Sequence, residues 1–204
     1  VTANFQKIAQ TDAVRQAQEH YYGHAQPQRE GGPERDTLTE DEMQFIQARD
    51  SFYMATVSES GWPYMQHRGG PPGFLHVLGP LKLAFADYKG NRQLLSTGNV
   101  SKENRVALFL MDYPNRTRLK ILGHARVEDA RDHADLVAQL AGPDMQRNVE
   151  RLFFIDIVSF DWNCPQHITP RYTLDEIKQD IVDPLQARIA ELEAEISQLR
   201  KDAQ

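Results

Sequence analysis

The sequence predicts a mainly β protein with flanking helices, an α+β chain built around an antiparallel barrel. The first observation is a series of short runs rich in β-branched and aromatic residues: SFYMATVS from Ser51, WPYMQHR from Trp62, FLHVL from Phe74, LKLAFA from Leu81, RVALFLMD from Arg105, RLKILGHARV from Arg118 and RLFFIDIVSF from Arg151. The second is that tight turns separate the early ones, at Glu59 to Gly61 and at the GGPPG bend from Gly69. The third is that only two helical patches fall between strands, NRQLLSTGN from Asn91 and the stretch from Asp129 to Gly142. A parallel sheet needs a crossover helix for every strand pair, so antiparallel pairing into a barrel is the expectation.

Elements outside the barrel follow in chain order. Phe5, Ile8 and Val14 stand among polar residues and predict an amphipathic helical arm over the first twenty or so positions. GHAQPQREGGPERD, from Gly23 to Asp36, has no apolar period and reads as a linker. Thr39 with Glu42 three positions on is a capping-box spacing, and Met43, Phe45 and Ile46 give the short helix that follows an apolar face ending near Arg49. At the far end Asp183 reads as a cap with Pro184 in the first helical position, and Leu185, Ile189, Leu192, Ile196 and Leu199 form a coiled-coil-like seam. That helix either packs on its own domain or pairs between molecules. The expected organisation is an arm and linker over 1–36, a barrel over 37–173 and a helical extension over 174–204.

At 204 residues, with 40% hydrophobic and 25% charged, the chain has the composition of a globular protein with one core. No apolar run approaches the roughly 20 residues that span a bilayer, and the start at Val1 lacks a basic and apolar leader. With a single cysteine, Cys164, no internal disulfide forms, and a cytoplasmic location is expected. The net charge of -6 argues against non-specific nucleic-acid binding.

Two segments carry candidate chemistry. In the strand at Gln66, His67 and Arg68, alternation places Gln66 and Arg68 on one face and His67 on the other. Gly69 and Gly70 after it permit close approach by a flat ligand, or form a bulge. In FADYKGNRQ a strand runs out through Asp87 into Gly90, and Asn91, Arg92 and Gln93 stand where a helix start offers N–H donors to a phosphate, or where Asn91 only caps and Arg92 is solvated.

Taken in order, GWPYMQHRGGP, FADYKGNRQ and NRVALFLMDYPNRTRLKILGHARV resemble the FMN-binding split β-barrel of the pyridoxamine 5'-phosphate oxidase-like family, from roughly Asp41 to Val127 and more loosely to Thr173. The resemblance implies an antiparallel split barrel that binds FMN at the interface of a homodimer. It places flavin contacts at Gln66, His67, Arg68 and Gly69, phosphate contacts at Asn91, Arg92 and Gln93 beside Asp87, and a contact to the neighbouring subunit's flavin at Arg118. FDWNCPQHITPRY is similar to a segment of a bacterial subgroup, and the expectation for this chain is that Trp162, Gln166 and His167 form a cap over the flavin with Arg171 as an anion partner. Pro71 stands where the family has a lysine, and the chain closes in a seam-bearing helix where authentic oxidases have an RL-x-P-like signature. The implied activity is therefore an FMN-dependent oxidoreductase acting on a small molecule other than a B6 vitamer; the alternative is a non-catalytic flavin- or haem-binding protein. Cys164 and His167 supply two ligands of a zinc-like pattern, too few for a closed site, and no metal is expected. No Ser, His and Asp set is identifiable, and no catalytic residue is assigned.

Overall fold

The structure is a computed structural model that describes residues 2–27, 31–162 and 165–202. It forms two compact units: Val1–Asp112 with Thr117–Pro165, and Tyr113–Arg116 with Gln166–Gln204.

The first unit is built on one seven-stranded sheet, antiparallel throughout: β1 (Ser51–Val57), β2 (Pro63–Gly69), β3 (His76–Gly79), β4 (Lys82–Tyr88), β5 (Arg105–Asp112), β6 (Thr117–Asp129) and β7 (Val149–Trp162), in the order β2-β1-β5-β6-β7-β4-β3. Strict alternation in β5 buries Val106, Leu108 and Leu110 and turns Ala107, Phe109 and Met111 outward. β1 and β6 follow the same rule with Phe52 and Met54, and with Leu119 and Ile121. These inward residues meet Phe85 and Phe153, whose rings stack at 4.9 Å, in a single interior core.

The sheet curls until its two ends face each other. Phe52 on β1 lies edge-on to Phe85 on β4 at 5.4 Å, although three strands intervene in the sheet order. Among the described residues no backbone ladder joins β2 to β4, and the Arg68–Asp87 side chains span that gap, which makes this a split barrel. β4 is apolar on both faces because a second cluster covers its outside, where Ala84 and Ala86 pack with Val137 and Leu140 of α5 (Ala134–Leu140). Where β6 crosses β7 the register shifts, and a Cβ on Gly123 would lie 2.7 Å from the Asp156 carbonyl, so only glycine fits.

The flanking helices differ from expectation in instructive ways. The arm is two helices, α1 (Ala3–Ala9) and α2 (Asp12–Tyr22), because Thr11 starts a fresh turn by accepting from the Val14 N–H. It docks through polar groups and through Phe5, over whose ring the Lys120 ammonium lies at 4.6 Å, while Ile8 and Val14 stay exposed. The Asn4 amide donates to the carbonyls of Glu34 and Val158, while the Thr2 and Ser159 hydroxyls both donate to Asp36. Helix α3 (Glu40–Gln47) forms with the expected capping box. Glu42 does more than cap, since its Oε1 accepts from the Trp162 indole at 2.6 Å. Burial pushes the Glu42 carboxyl up, but hydrogen bonds from Thr39 and Trp162 outweigh it and leave the group below its ordinary value.

In the second unit the helix begins earlier than the sequence suggests. Thr173 and Glu176 form a capping box at the start of α6 (Leu174–Ile177). A π-helical turn over Lys178–Val182 then leads without a break into α7 (Asp183–Asp202). Asp183 is therefore no cap: its N–H donates to the Lys178 carbonyl five residues back, and its carboxylate pairs with the Lys178 ammonium at 2.9 Å. Pro184, which has no N–H to give, is tolerated directly after this wide turn. The Arg171 guanidinium lies 4.9 Å from the centre of the Tyr113 ring. Among the described residues no helix is long and apolar enough to cross a membrane.

Candidate phosphate and cofactor pocket

Where the curled sheet meets itself, Gln66 and Arg68 of β2 point into the barrel end, opposite the inward Met54 and Phe52. The Arg68 guanidinium spans the gap to Asp87 on β4, Nη1 to Oδ1 at 2.5 Å, and lies over the Phe85 and Phe153 rings at 5.5 and 5.2 Å. The other oxygen of Asp87 accepts from Arg151 Nε at 2.8 Å. One mostly buried carboxylate thus serves two guanidiniums, and Arg151 also pairs with the Glu150 carboxylate at 3.0 Å. The Arg68 Nε is buried with no hydrogen-bond partner.

Beyond the end of β4 the chain turns back as a loop before α4 (Leu95–Lys102). Asn91 was expected to cap a helix here; instead its Oδ1 accepts from the Gln93 N–H at 3.1 Å and closes a local Asx turn. Arg92 and Leu94 then take positive φ angles of 62° and 55°, a conformation no helix propagates, so α4 starts four residues later than Asn91. The buried Ser96 hydroxyl donates to Gln66 Oε1 at 2.9 Å, and the Asn99 amide donates to Thr56, fastening α4 to the sheet.

The result is a pocket of about 190 Å³ whose walls include Gln66, Arg68, Asp87 and Arg151 on the barrel side and Asn91, Arg92 and Gln93 on the loop side. Arg92 is exposed and bears no hydrogen bond to Asp87. The pocket draws together six residues singled out from the sequence. It also contains Arg151, which the sequence reading missed: it lies 64 positions from Asp87, and only the β4–β7 register brings them opposite.

The remaining candidates of the first unit lie outside this pocket. His67 faces outward and meets Tyr53 edge-on at 5.5 Å. Gly69 pairs with Ser51 at the end of β2. Gly70 does permit a close approach, but by its own chain: a Cβ there would fall 2.7 Å from Phe74. Arg118 lies on the outer face of β6, over the Phe109 ring at 5.7 Å, and its Nε is buried without a partner. Trp162 is engaged with Glu42 and with the Phe45 ring at 4.8 Å, and it does not line the pocket. Gln166 and His167 belong to the second unit, His167 with a φ of 62°. Cys164 lies outside the described residues.

The family model described as pyridoxamine 5'-phosphate oxidase matches residues 38–154, which is more than half of the chain. The chain belongs to the pyridoxamine 5'-phosphate oxidase-like family, and its fold is that family's split barrel. Solved structures similar to it include a putative pyridoxamine 5'-phosphate oxidase from Lactobacillus delbrueckii, at 24% identity over 62% of this chain and 94% of that one, with a TM-score of 0.49. HupZ from Group A Streptococcus is similar at 10% identity over 66% of this chain and 100% of its own, TM-score 0.48. HutZ, the haem storage protein from Vibrio cholerae, is similar at 14% identity over 59% and 90%, TM-score 0.43. No curated protein matches the sequence.

Proposed function

We propose that this chain is an FMN-dependent oxidoreductase acting on a small molecule, with the FMN phosphate held by Arg92 and the Arg68–Arg151 pair. The observation that carries the reading is the convergence of three guanidiniums and one carboxylate in a single pocket, with Asn91 and Gln93 on the same loop. Charge-assisted donors in that arrangement suit a phosphate dianion. The donors also fit the rest of the group: Gln66 presents an amide anchored by Ser96, and the Arg68 Nε is an unused buried donor. When bound, flavin supplies the redox chemistry, while the residues of the chain grip the phosphate, orient the ring and exclude water.

A cavity of about 190 Å³ is smaller than the roughly 300 Å³ at which cofactor-sized sites begin, so the remainder of the ligand needs a second wall. A second copy of the chain supplies it in this reading. The outer face of β2, β1 and β5 offers exposed Tyr53 and Met65 beside Phe109, and Arg118 on the adjoining β6 carries an unpartnered buried Nε next to that face. This homodimer places Arg118 within reach of the partner subunit's flavin.

The test begins with the visible spectrum of the purified protein and identification of the cofactor released on denaturation. Flavin bands with FMN released are expected. Arg92→Ala is expected to weaken FMN binding by about 2–3 kcal/mol, roughly 30- to 150-fold, the value of a charged hydrogen bond. Unchanged affinity overturns the phosphate assignment. Repeated reduction by a donor and reoxidation by an acceptor marks an enzyme, whereas a bound flavin that does not cycle, or a haem Soret band, marks a carrier.

A further inference from the structure

The C-terminal helix carries a feature that the pocket does not use. Leu185, Ile189, Leu192, Ile196 and Leu199 run along α7 at alternating spacings of four and three, and each is at least 40% exposed. No residue of α7 is buried. We propose that the C-terminal helices of two copies of this chain wind into a parallel, in-register, two-stranded coiled coil.

The residue types at the seam select that state. Ile189 and Ile196 occupy one alternate set and Leu185, Leu192 and Leu199 the other, so β-branched residues fall at a and leucine at d, the pattern that favours two parallel strands. The flanking charges select the same partner and direction. In a parallel pair each g residue faces the e residue five positions on in the other chain, which sets Arg188 against Glu193 and Glu195 against Arg200. Counted from both chains, that makes four opposite-charge pairs and no like-charge pair. In the antiparallel arrangement that keeps the same layers, Leu185 meets Ile196 and Ile189 meets Leu192, and only Arg188 against Glu195 survives, twice. In the single chain Arg188 pairs locally with Glu191 at 2.9 Å, an exposed contact of little worth that it can exchange. The occupant is therefore a second copy, because this helix is complementary to itself.

The π turn extends the surface. One extra residue in that turn compensates the extra residue between Ile181 and Leu185, so Leu174, Ile177 and Ile181 continue the stripe. The exposed line runs from Leu174 to Leu199, about 39 Å at 1.5 Å per residue.

A dimer made by the barrel alone would hide the answer from a sizing column, so the readout is position-specific crosslinking of the full chain. In a Cys164→Ser background, Leu185→Cys and Leu199→Cys are each expected to form an interchain disulfide in air in most of the protein, read on a non-reducing gel. Ala187→Cys and Ala194→Cys, on the outward face, are expected to remain largely uncrosslinked. If the seam cysteines crosslink no better than these controls, the coil is refuted. Crosslinking confined to a mixture of Leu185→Cys with Ile196→Cys chains overturns the parallel direction. Arg188→Glu in the Leu199→Cys protein is expected to cut the crosslinked fraction several-fold, and adding Glu193→Arg to restore it; no change in either step overturns the charge register. None of these outcomes depends on whether flavin binds.

Discussion

Replacing Asp87 by asparagine separates two roles that the sequence alone runs together. Asp87 was expected among the flavin contacts, yet both of its oxygens are occupied by Arg68 and Arg151, whose side chains are 14% and 18% exposed. Asp87→Asn keeps the shape and removes the charge, leaving the mostly buried Arg68 guanidinium without its counter-ion and Arg151 with Glu150 alone. Breaking such a pair from one side costs about 3 kcal/mol, and in a chain of this size each kcal/mol lowers Tm by about 2–4 °C, so a fall of about 6–12 °C is expected. The same change removes a negative charge beside the proposed phosphate site. At about 6 Å and an effective dielectric between about 20 and 80, that charge opposes an anion by about 0.7–3 kcal/mol. FMN or inorganic phosphate is therefore expected to bind roughly 3- to 150-fold tighter to the less stable protein. Thermal melts with and without FMN, together with a fluorescence titration, read both quantities. An unchanged Tm combined with weaker FMN binding would refute the clamp and restore Asp87 as a direct contact.

Three further outcomes follow from the packing. Gly70→Ala forces a methyl against the Phe74 ring and is expected to destabilise the fold by about 1–3 kcal/mol by denaturant titration; a stability change under 0.5 kcal/mol would show the bend to be loose. Trp162→Phe removes the indole donor from Glu42, at a cost of about 1–2 kcal/mol at neutral pH. Because the Glu42 carboxyl is lowered in the folded state, its stabilisation is complete above the ordinary carboxylate range and is lost as pH falls through the folded value. The Trp162→Phe acid-unfolding midpoint is therefore expected at higher pH than wild type, and an identical midpoint would remove Glu42 from that account. Phe109→Asp places a charge at the centre of the proposed dimer face; light scattering of protein with the helical seam also disrupted by Leu192→Glu is expected to report monomers.

The strands were legible because each obeys a local rule. RVALFLMD alternates perfectly, and β5 coincides with it from Arg105 to Asp112. The capping box of Thr39 and Glu42 was equally local. What the sequence concealed depends on partners distant in the chain or on backbone states that carry no composition signal. Arg92 and Leu94 adopt positive φ although neither is glycine or asparagine, so the start of α4 was placed too early. Thr2, Asn4, Asp36 and Ser159 read as ordinary polar residues until the bulge near Val158 gives them a common site. Pro184 reads as a helix start because nothing in the sequence announces a π turn before it. For the pocket, alternation correctly put Gln66 and Arg68 on one side and His67 on the other, while the ion pairs of Asp87 required the folded register.

The gap between β2 and β4 has a mechanical meaning. Every other neighbouring pair of strands in the barrel is stitched by backbone hydrogen bonds, but this join is a clasp made of Arg68, Asp87 and the aromatic rings beneath them. Unfastening it breaks no ladder bond, so this line is where the barrel opens at least cost. In the proposed reading an anion held in the pocket competes with Asp87 for the same guanidiniums, which would link the occupancy of the pocket to the tightness of the catch.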